Sequence, residues 1–143
     1  MTGPAGSLSL EDWRARLRDF AAECEDGRAA DEADRIREAW VLCRMAPPSR
    51  RALLAGHPDA TMLQSLLAAG AVESAALALI GPAMGYMLSR GGNGTALASV
   101  IVPHAGIDHS AEGATPALAL VAALALALAA QADDGGPAAR RLN

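Results

Sequence analysis

The sequence contains no lysine, few aromatic residues and only two cysteines. Its twelve basic residues are all arginines, and sixteen acidic residues bring the net charge to −4. This balance argues against nonspecific DNA binding, which needs clustered cations that displace counterions from the phosphates. Because aromatic residues make up only 3% of the chain, a core must be built mainly from Leu, Ala, Val, Met and Ile. A chain of 143 residues is long enough for one such domain.

The chain has two cysteines, Cys24 and Cys43. The opening residues, MTGPAGSLSLEDW, contain neither the basic stretch nor the apolar run of a secretory signal peptide. We therefore expect both thiols to be reduced and the protein to be cytoplasmic.

Charge is concentrated in the first part of the chain. Residues 1–60 carry 20 charged side chains, whereas residues 61–132 carry four. The two ends are rich in Gly, Pro and Ala, which is typical of frayed termini. The predicted organisation is a disordered tail at 1–8, a helical hairpin or arm at 9–56, an α/β/α core at 57–131 and a disordered tail at 132–143.

The arm is predicted to consist of two amphipathic helices. The first begins after Ser9, an N-cap residue followed by two acidic residues, and ends at Gly27. The second covers about residues 30–45 and stops before a Pro-Pro pair. Their apolar seams are Leu10, Trp13, Leu17, Phe20 and Cys24 in the first helix, and Ala33, Ile36, Trp40 and Cys43 in the second. In an antiparallel hairpin of these helices, Cys24 and Cys43 lie too far apart for a disulfide.

Shorter helices are predicted before a change to strand periodicity. A single short helical segment is expected at 49–56, and Asp59 and Gly70 have the residue types of an N-cap and a C-cap. A following apolar stripe has the helical spacing i, i+3, i+4, i+7, i+8 and ends at a Gly-Pro pair. The stripe consists of Val72, Ala75, Ala76, Leu79 and Ile80.

An Asn-Gly pair at Asn93 and Gly94 predicts a β-hairpin with strands at 85–90 and 96–102. We interpret residues 104–113 as a polar loop. The alternative is a third short strand around residues 107–110. This loop connects the hairpin to the last predicted helix.

The last helix is predicted from the uncharged stretch ALALVAALALALAA at 117–130. Thr115 is a favourable N-cap and Pro116 a favourable first helical residue. The stretch is too long for a typical strand and too short for a membrane span. Its stripe is formed by Leu120, Val121, Leu124 and Leu128, with Leu118 beside it. We predict an α+β fold that is mostly helical, with an N-terminal helical hairpin and a small antiparallel sheet covered by this C-terminal helix.

The best cluster of titratable residues that could carry chemistry lies between the hairpin and the last helix. They are His104, Asp108, His109 and Glu112. Two imidazoles and two carboxylates could ligate a metal, but their spacing matches no zinc pattern. We favour a solvated loop and keep a metal-binding protein or enzyme as an alternative. No catalytic residue and no cofactor is predicted.

Several residues are candidates for contact with a partner. Trp13 and Trp40 lie on apolar seams, where core packing is the favoured role and a partner-facing anchor the alternative. Arg90 either contacts a partner or, as we favour, ends an edge strand with a charge. Tyr86 and Met87 are interpreted as core or sheet-face residues. The acidic candidates are Glu23, Glu25, Asp26, Asp31, Glu32 and Asp34.

Three segments of the second half carry a family resemblance. They are AALALIGP at 75–82, SRGGNGTALASVIVP at 89–103 and TPALALVAALALAL at 115–128. Together they resemble small proteins encoded in proteobacterial phages and prophages, of the phage ABA sandwich domain. The resemblance implies α/β/α layering and supplies no catalytic residues. The present chain lacks the tryptophans that are usual in the first strand of that family.

From these observations we expect a non-enzymatic phage- or prophage-type accessory protein that acts by protein–protein binding in the host cytoplasm. A sharper version is an inhibitor of a bacterial defence system, whose acidic side chains would occupy a basic groove. The alternative to a binding protein is an oligomeric virion or structural component assembled through the N-terminal helices. The expected partner is a protein, with a second copy of the chain as one candidate, and neither nucleic acid nor membrane is contacted directly.

Overall fold

A computed structural model describes residues 6–102 and 107–131. The chain has the predicted α+β fold, in which helices account for most of the described residues. The α-helices are α1 (Leu10–Glu25), α2 (Glu32–Arg44), α3 (Ala60–Ala68), α4 (Val72–Ile80) and α5 (Pro116–Ala129). The strands are β1 (Gly85–Arg90), β2 (Ala96–Ile101) and β3 (Asp108–Gly113), and short 3₁₀ helices cover Ala29–Asp31 and Pro48–Leu54.

Three of the α-helices, α1, α3 and α5, begin where a polar side chain caps a free backbone N–H group. Ser9 Oγ accepts a hydrogen bond of 3.1 Å from the Asp12 N–H, at the start of α1. Thr115 Oγ1 accepts one of 3.2 Å from the Leu118 N–H, at the start of α5. Asp59 does the same for α3. The N-caps expected from the sequence are therefore confirmed, because an extended Ser, Thr or Asp satisfies donors that have no partner within the helix.

The sheet is antiparallel throughout and has the strand order β1-β2-β3. The turn between β1 and β2 contains the Asn-Gly pair, and Gly94 has a φ of +89°, a conformation that favours glycine. Asn93 Oδ1 accepts a hydrogen bond of 3.1 Å from the Thr95 N–H and stabilises this turn. The predicted β-hairpin is confirmed.

The third strand corrects the predicted loop at 108–113 and is longer than the short strand considered around 107–110. Residues 108–113 form β3, which pairs with β2 from Asp108 opposite Ile101 to Gly113 opposite Ala96. Asp108, His109 and Glu112 therefore lie on a strand. The buried positions of β3 are occupied by the small residues Ala111 and Gly113, so its sequence shows no stripe of large apolar residues.

Helix α5 forms the middle layer of the protein. Twelve of its 14 residues are buried, because α1, α2 and α4 pack on it from one side and β2 and β3 from the other. Leu126 is the only leucine of the helix that is not fully buried, as its position outside the predicted stripe suggests. The layer order is helices, α5 and sheet, so the α/β/α order expected for residues 57–131 is not what the described residues form.

The N-terminal helical hairpin packs on α5 and belongs to the same core. Trp13, Leu17 and Phe20 of α1 are buried together with Ile36 of α2. The two apolar seams contact α5, and α1 contacts α5 more extensively than it contacts α2. Residues 10–44 are therefore not a detached arm. The predicted tails at 1–8 and 132–143 fall largely outside the described residues, although Leu8 donates a backbone hydrogen bond of 2.9 Å to the Met45 carbonyl.

Across residues 6–102 and 107–131, no helix combines the length and apolar character that a membrane span requires.

Candidate interaction surface

The titratable residues near β3 do not converge on one point. Asp108 and Glu112 are in register with Ile101 and Leu97 on the outer face of the sheet, whereas His109 is in register with the inward-facing Val100. Four residues of strand separate the two carboxylates by about 13 Å, at about 3.3 Å per residue. No group of three or more His, Cys, Asp or Glu residues suited to a metal occurs in the described part of the chain. His104, the remaining member of the predicted cluster, lies outside the described residues.

The two tryptophans have different environments. Trp13 is completely buried, and its Nε1 donates a hydrogen bond of 2.7 Å to the Leu42 carbonyl. It is therefore a core residue and not a partner-facing anchor. Trp40 is half-buried, and its Nε1 donates a hydrogen bond of 2.9 Å to the Pro58 carbonyl. The Arg44 guanidinium lies 4.9 Å from the centre of the Trp40 ring. Much of the Trp40 side chain is thus already in contact with its own chain.

The acidic candidates on α1 and α2 are interleaved with arginines. Glu23 forms an ion pair with Arg35 at 3.3 Å, and Asp34 forms one with Arg37 at 3.2 Å. These pairs are solvent-exposed, so each contributes little to stability, but each partly neutralises the local field. The negative potential at this surface is weaker than the count of acidic residues suggests.

Glu25 and Asp31 have further structural roles. Asp31 Oδ2 accepts a hydrogen bond of 3.0 Å from the Arg28 N–H and caps the 3₁₀ helix that precedes α2. Glu25 Oε2 accepts one of 3.4 Å from the Glu112 N–H, which places the end of α1 beside β3. The remaining acidic candidates are Asp26, which is exposed, and Glu32, which is half-buried.

Strand β1 is exposed along its entire length. All six residues are solvent-exposed, including Tyr86 at 47%, Met87 at 66% and Leu88 at 39%. β1 lies at the edge of the sheet, and β2 is the only element with which it makes extensive contacts in the described structure. α5 packs on β2 and β3 and leaves the inward side of β1 uncovered. An exposed apolar edge strand of this kind is a template for pairing with another chain.

The pairing register places apolar side chains on both faces of β1. Tyr86 and Leu88 are in register with the buried Val100 and Ala98, so they lie on the α5 side of the sheet. Met87 is opposite Ser99 on the other side. A one-sided sheet would show alternation of apolar and polar residues, and β1 lacks it at these three positions.

Arg90 is the last residue of β1, as expected, and its Nη1 donates a hydrogen bond of 3.2 Å to the Gly94 carbonyl. Its charge is therefore at one end of the edge strand and leaves the centre of the strand apolar. The expected placement of Tyr86 and Met87 on a sheet face is correct, but both are exposed. The absence of polar alternation in GYMLSR indicates apolar side chains on both faces of the strand, but the same pattern is typical of a buried central strand, so the sequence alone does not identify this surface.

Comparisons of this chain with protein-family models, with curated proteins and with solved structures found no significant match. No functional residue is therefore transferred to it from a relative.

Proposed function

We propose that this chain is a non-enzymatic accessory protein of phage or prophage type that acts through protein–protein contact made at β1. The observation that supports this most directly is the exposure of Tyr86, Met87 and Leu88 on a strand whose outer edge is paired with no other strand of the described residues. Edge strands recognise other chains through main-chain hydrogen bonds, while their alternating side chains supply specificity. Exposed apolar residues in a contiguous patch are a further mark of an interaction site.

The phage context and the host cytoplasm are supported by the resemblance of residues 75–82, 89–103 and 115–128 to phage-encoded proteins. That resemblance also motivates the finer proposal of an inhibitor of a bacterial defence system. In the finer proposal, the acidic residues between α1 and α2 would contact a basic groove of a defence nuclease.

A site-specific photo-crosslinker tests the contact at β1. The crosslinking amino acid replaces Met87, which is 66% exposed, or Met62 of α3, which is 53% exposed and serves as the control. In bacterial cells we expect a discrete protein adduct at position 87 that is absent at position 62. The substitution Leu88→Glu in the same protein should remove the adduct, because it places a charge in the apolar contact. The proposal would be overturned if the crosslinked adducts at position 87 were the same as those at position 62, or if the adduct at position 87 persisted in the Leu88→Glu protein.

A charge-matched pair of variants tests the finer proposal. One variant carries Glu25→Gln, Asp26→Asn and Glu32→Gln. The control carries Glu11→Gln, Asp12→Asn and Asp19→Asn, which remove the same charge from the exposed side of α1. Binding to a purified defence nuclease should be lost in the first variant and kept in the control. Equal binding by both variants would refute the electrostatic contact.

A further inference from the structure

We propose that the chain which pairs with β1 is a second copy of this protein. The two β1 strands run antiparallel about a two-fold axis that places Leu88 opposite Leu88 of the second copy, so that the two sheets become continuous. This inference rests on the assignment of β1 as the contact surface and adds the identity of its partner. Three properties of β1 favour a second copy: its backbone groups at the outer edge, the side chains that would meet and the distribution of charge.

The free backbone groups of β1 belong to alternate residues. The Gly91 N–H donates a hydrogen bond of 2.8 Å to the Thr95 carbonyl, so the amide of Gly91 faces β2. In an antiparallel ladder the N–H and C=O of one residue point to the same side and alternate along the strand. Tyr86, Leu88 and Arg90 therefore direct their N–H and C=O groups to the open edge, where a second strand can pair with them.

This alternation restricts the registers that a second copy can adopt. The outward-facing residues must oppose outward-facing residues, which excludes any pairing shifted by one position. When Leu88 lies on the two-fold axis, Tyr86 of each copy is opposite Arg90 of the other, and all of β1 is paired. The contact then brings together the two Leu88 side chains. They lie on the same side of the sheet as α5, at β1, where α5 does not cover the sheet.

The side chains that meet in this register are complementary. A guanidinium directly across from an aromatic ring forms a cation–π contact, and cross-strand pairs of this kind stabilise a sheet. The arrangement occurs twice because of the symmetry. The hydrogen bond of Arg90 to the Gly94 carbonyl is exposed, so the side chain is free to turn toward the ring without breaking a buried contact.

The charge distribution also favours self-association at β1. The chain has a net charge of −4, yet residues 85–94 contain no acidic residue and a single basic one, Arg90. The contact therefore keeps the acidic residues of the two copies away from the axis. The two Arg90 side chains lie four residues apart along the paired strands, about 13 Å. This exceeds the Debye length of about 8 Å at physiological ionic strength, so their repulsion is largely screened.

Sedimentation of the wild-type chain and two variants tests the partner. We expect the wild type and the control Met62→Glu to form dimers as the concentration rises to the millimolar range. Leu88→Glu should remain monomeric with an unchanged circular dichroism spectrum, because β1 is exposed and its side chain supports no core packing. A monomeric wild type at millimolar concentration, or a Leu88→Glu variant that dimerises like the wild type, would overturn the inference. A monomeric wild type that still gives a position-specific adduct with a different protein at residue 87 would refute the second copy and leave the proposed function intact.

Engineered cysteines test the register. Leu88→Cys should give a disulfide-linked dimer on mild oxidation, because directly opposed, hydrogen-bonded residues have Cα atoms about 5.5 Å apart, within the range of a disulfide. Met87→Cys should not, because residue 87 is then diagonal to its copy at about 7–8 Å. Cys24 and Cys43 are buried and do not compete for the bond. A disulfide dimer of Met87→Cys, without one of Leu88→Cys, would contradict the Leu88-centred pairing.

Discussion

Trp13 and Leu42 connect the two N-terminal helices by a buried hydrogen bond. The indole Nε1 of Trp13 in α1 donates to the Leu42 carbonyl at 2.7 Å, and Leu42 lies in the last turn of α2. Carbonyl groups in the last turn of a helix lack partners within the helix. The bond therefore satisfies an indole donor and supplements the capping of α2 by Met45 at the same carbonyl.

The substitution Trp13→Phe should destabilise the protein by about 0.5–1.5 kcal/mol for the lost hydrogen bond, because the Leu42 carbonyl keeps its bond from the Met45 N–H, with a further loss from the cavity that a smaller ring leaves. Trp40→Phe is the matched control, because Trp40 also donates to a carbonyl but is only half-buried. Urea unfolding followed by circular dichroism measures both changes. The interpretation fails if Trp40→Phe costs as much free energy of unfolding as Trp13→Phe.

Gly113 allows α5 to pack against β3 at short range. A Cβ atom at this position would lie 2.7 Å from the Ala119 nitrogen and 3.1 Å from its Cα, both of which belong to the backbone of α5. Gly113→Ala should therefore displace the helix and cost about 1–3 kcal/mol, as overpacked cores do. Gly92→Ala is the control, because a Cβ there meets nothing within 4 Å. Thermal unfolding should show a clear drop in Tm for Gly113→Ala alone; equal Tm values for the two variants would exclude the close approach.

The two cysteines should be unreactive in the folded protein. Burial raises the pKa of the Cys24 thiol and that of the Cys43 thiol to about 12 each. Because the thiolate is the nucleophile, Ellman's reagent at pH 8 should label neither thiol in native protein and both after denaturation. Rapid labelling of either cysteine at native conditions would show that its site opens to solvent.

The same shifts predict a loss of stability in alkali. The unfolded thiols ionise near pH 9 and the folded ones near pH 12, so the unfolded state releases protons first. The contribution of each protonated thiol to the free energy of unfolding is fully present below pH 9 and is lost as the pH rises toward 12. The variant Cys43→Ala should show a flatter decline of the free energy of unfolding with pH than the wild type. An identical decline in both proteins would argue against the shift at Cys43.

His57 should make the protein sensitive to acid. Burial lowers the pKa of the His57 imidazole, and the nearby Arg44 lowers it further, although a hydrogen bond with the Leu79 backbone opposes the shift. The folded state then favours the neutral ring. The contribution of the neutral His57 to the free energy of unfolding is complete above the unfolded pKa of about 6.5 and is lost as the pH falls through the folded pKa. The pH dependence of urea unfolding checks this. His57→Gln should weaken the loss of stability below pH 6.5, whereas His109→Gln on β3 is the control; equal pH profiles for wild type and His57→Gln would contradict the role of His57.

Local signals in the sequence correctly predict the elements that begin with an N-cap residue or are joined by an Asn-Gly turn. Thr115-Pro116, Asp59 and the Asn93-Gly94 pair lie at helix starts or at a turn, where a single side chain or a single glycine satisfies the backbone. The stripe of α4 ends at the predicted Gly81. These features depend on neighbouring residues only, so the sequence contains the information.

Features that depend on distant pairing were less accessible. The sequence of β3 favours a loop, because its inward residues Ala111 and Gly113 give no apolar pattern. The extended form of β3 is set by its pairing with β2. The position of Trp13 on an apolar seam is compatible with either core packing or a partner contact, because the sequence does not show what covers a seam; in the structure Trp13 is fully buried. The candidate surface was missed for the same reason. Whether β1 is an edge or a central strand is decided by the other strands of the sheet, and only an edge position exposes Tyr86 and Met87 on opposite faces.

The central position of α5 has a consequence for the rate of folding. Its packing partner α1 lies about a hundred residues earlier in the chain, and the guanidinium of Arg14 donates to the Gln131 carbonyl across a separation of 117 residues. Helical proteins usually fold fast because most of their contacts are local, and the rate falls as contacting residues become more distant in sequence. Here the core closes only when the chain brings α5 between α1 and the sheet. A protein that is mostly helical by content should therefore fold with the slower kinetics that are typical of β-rich topologies.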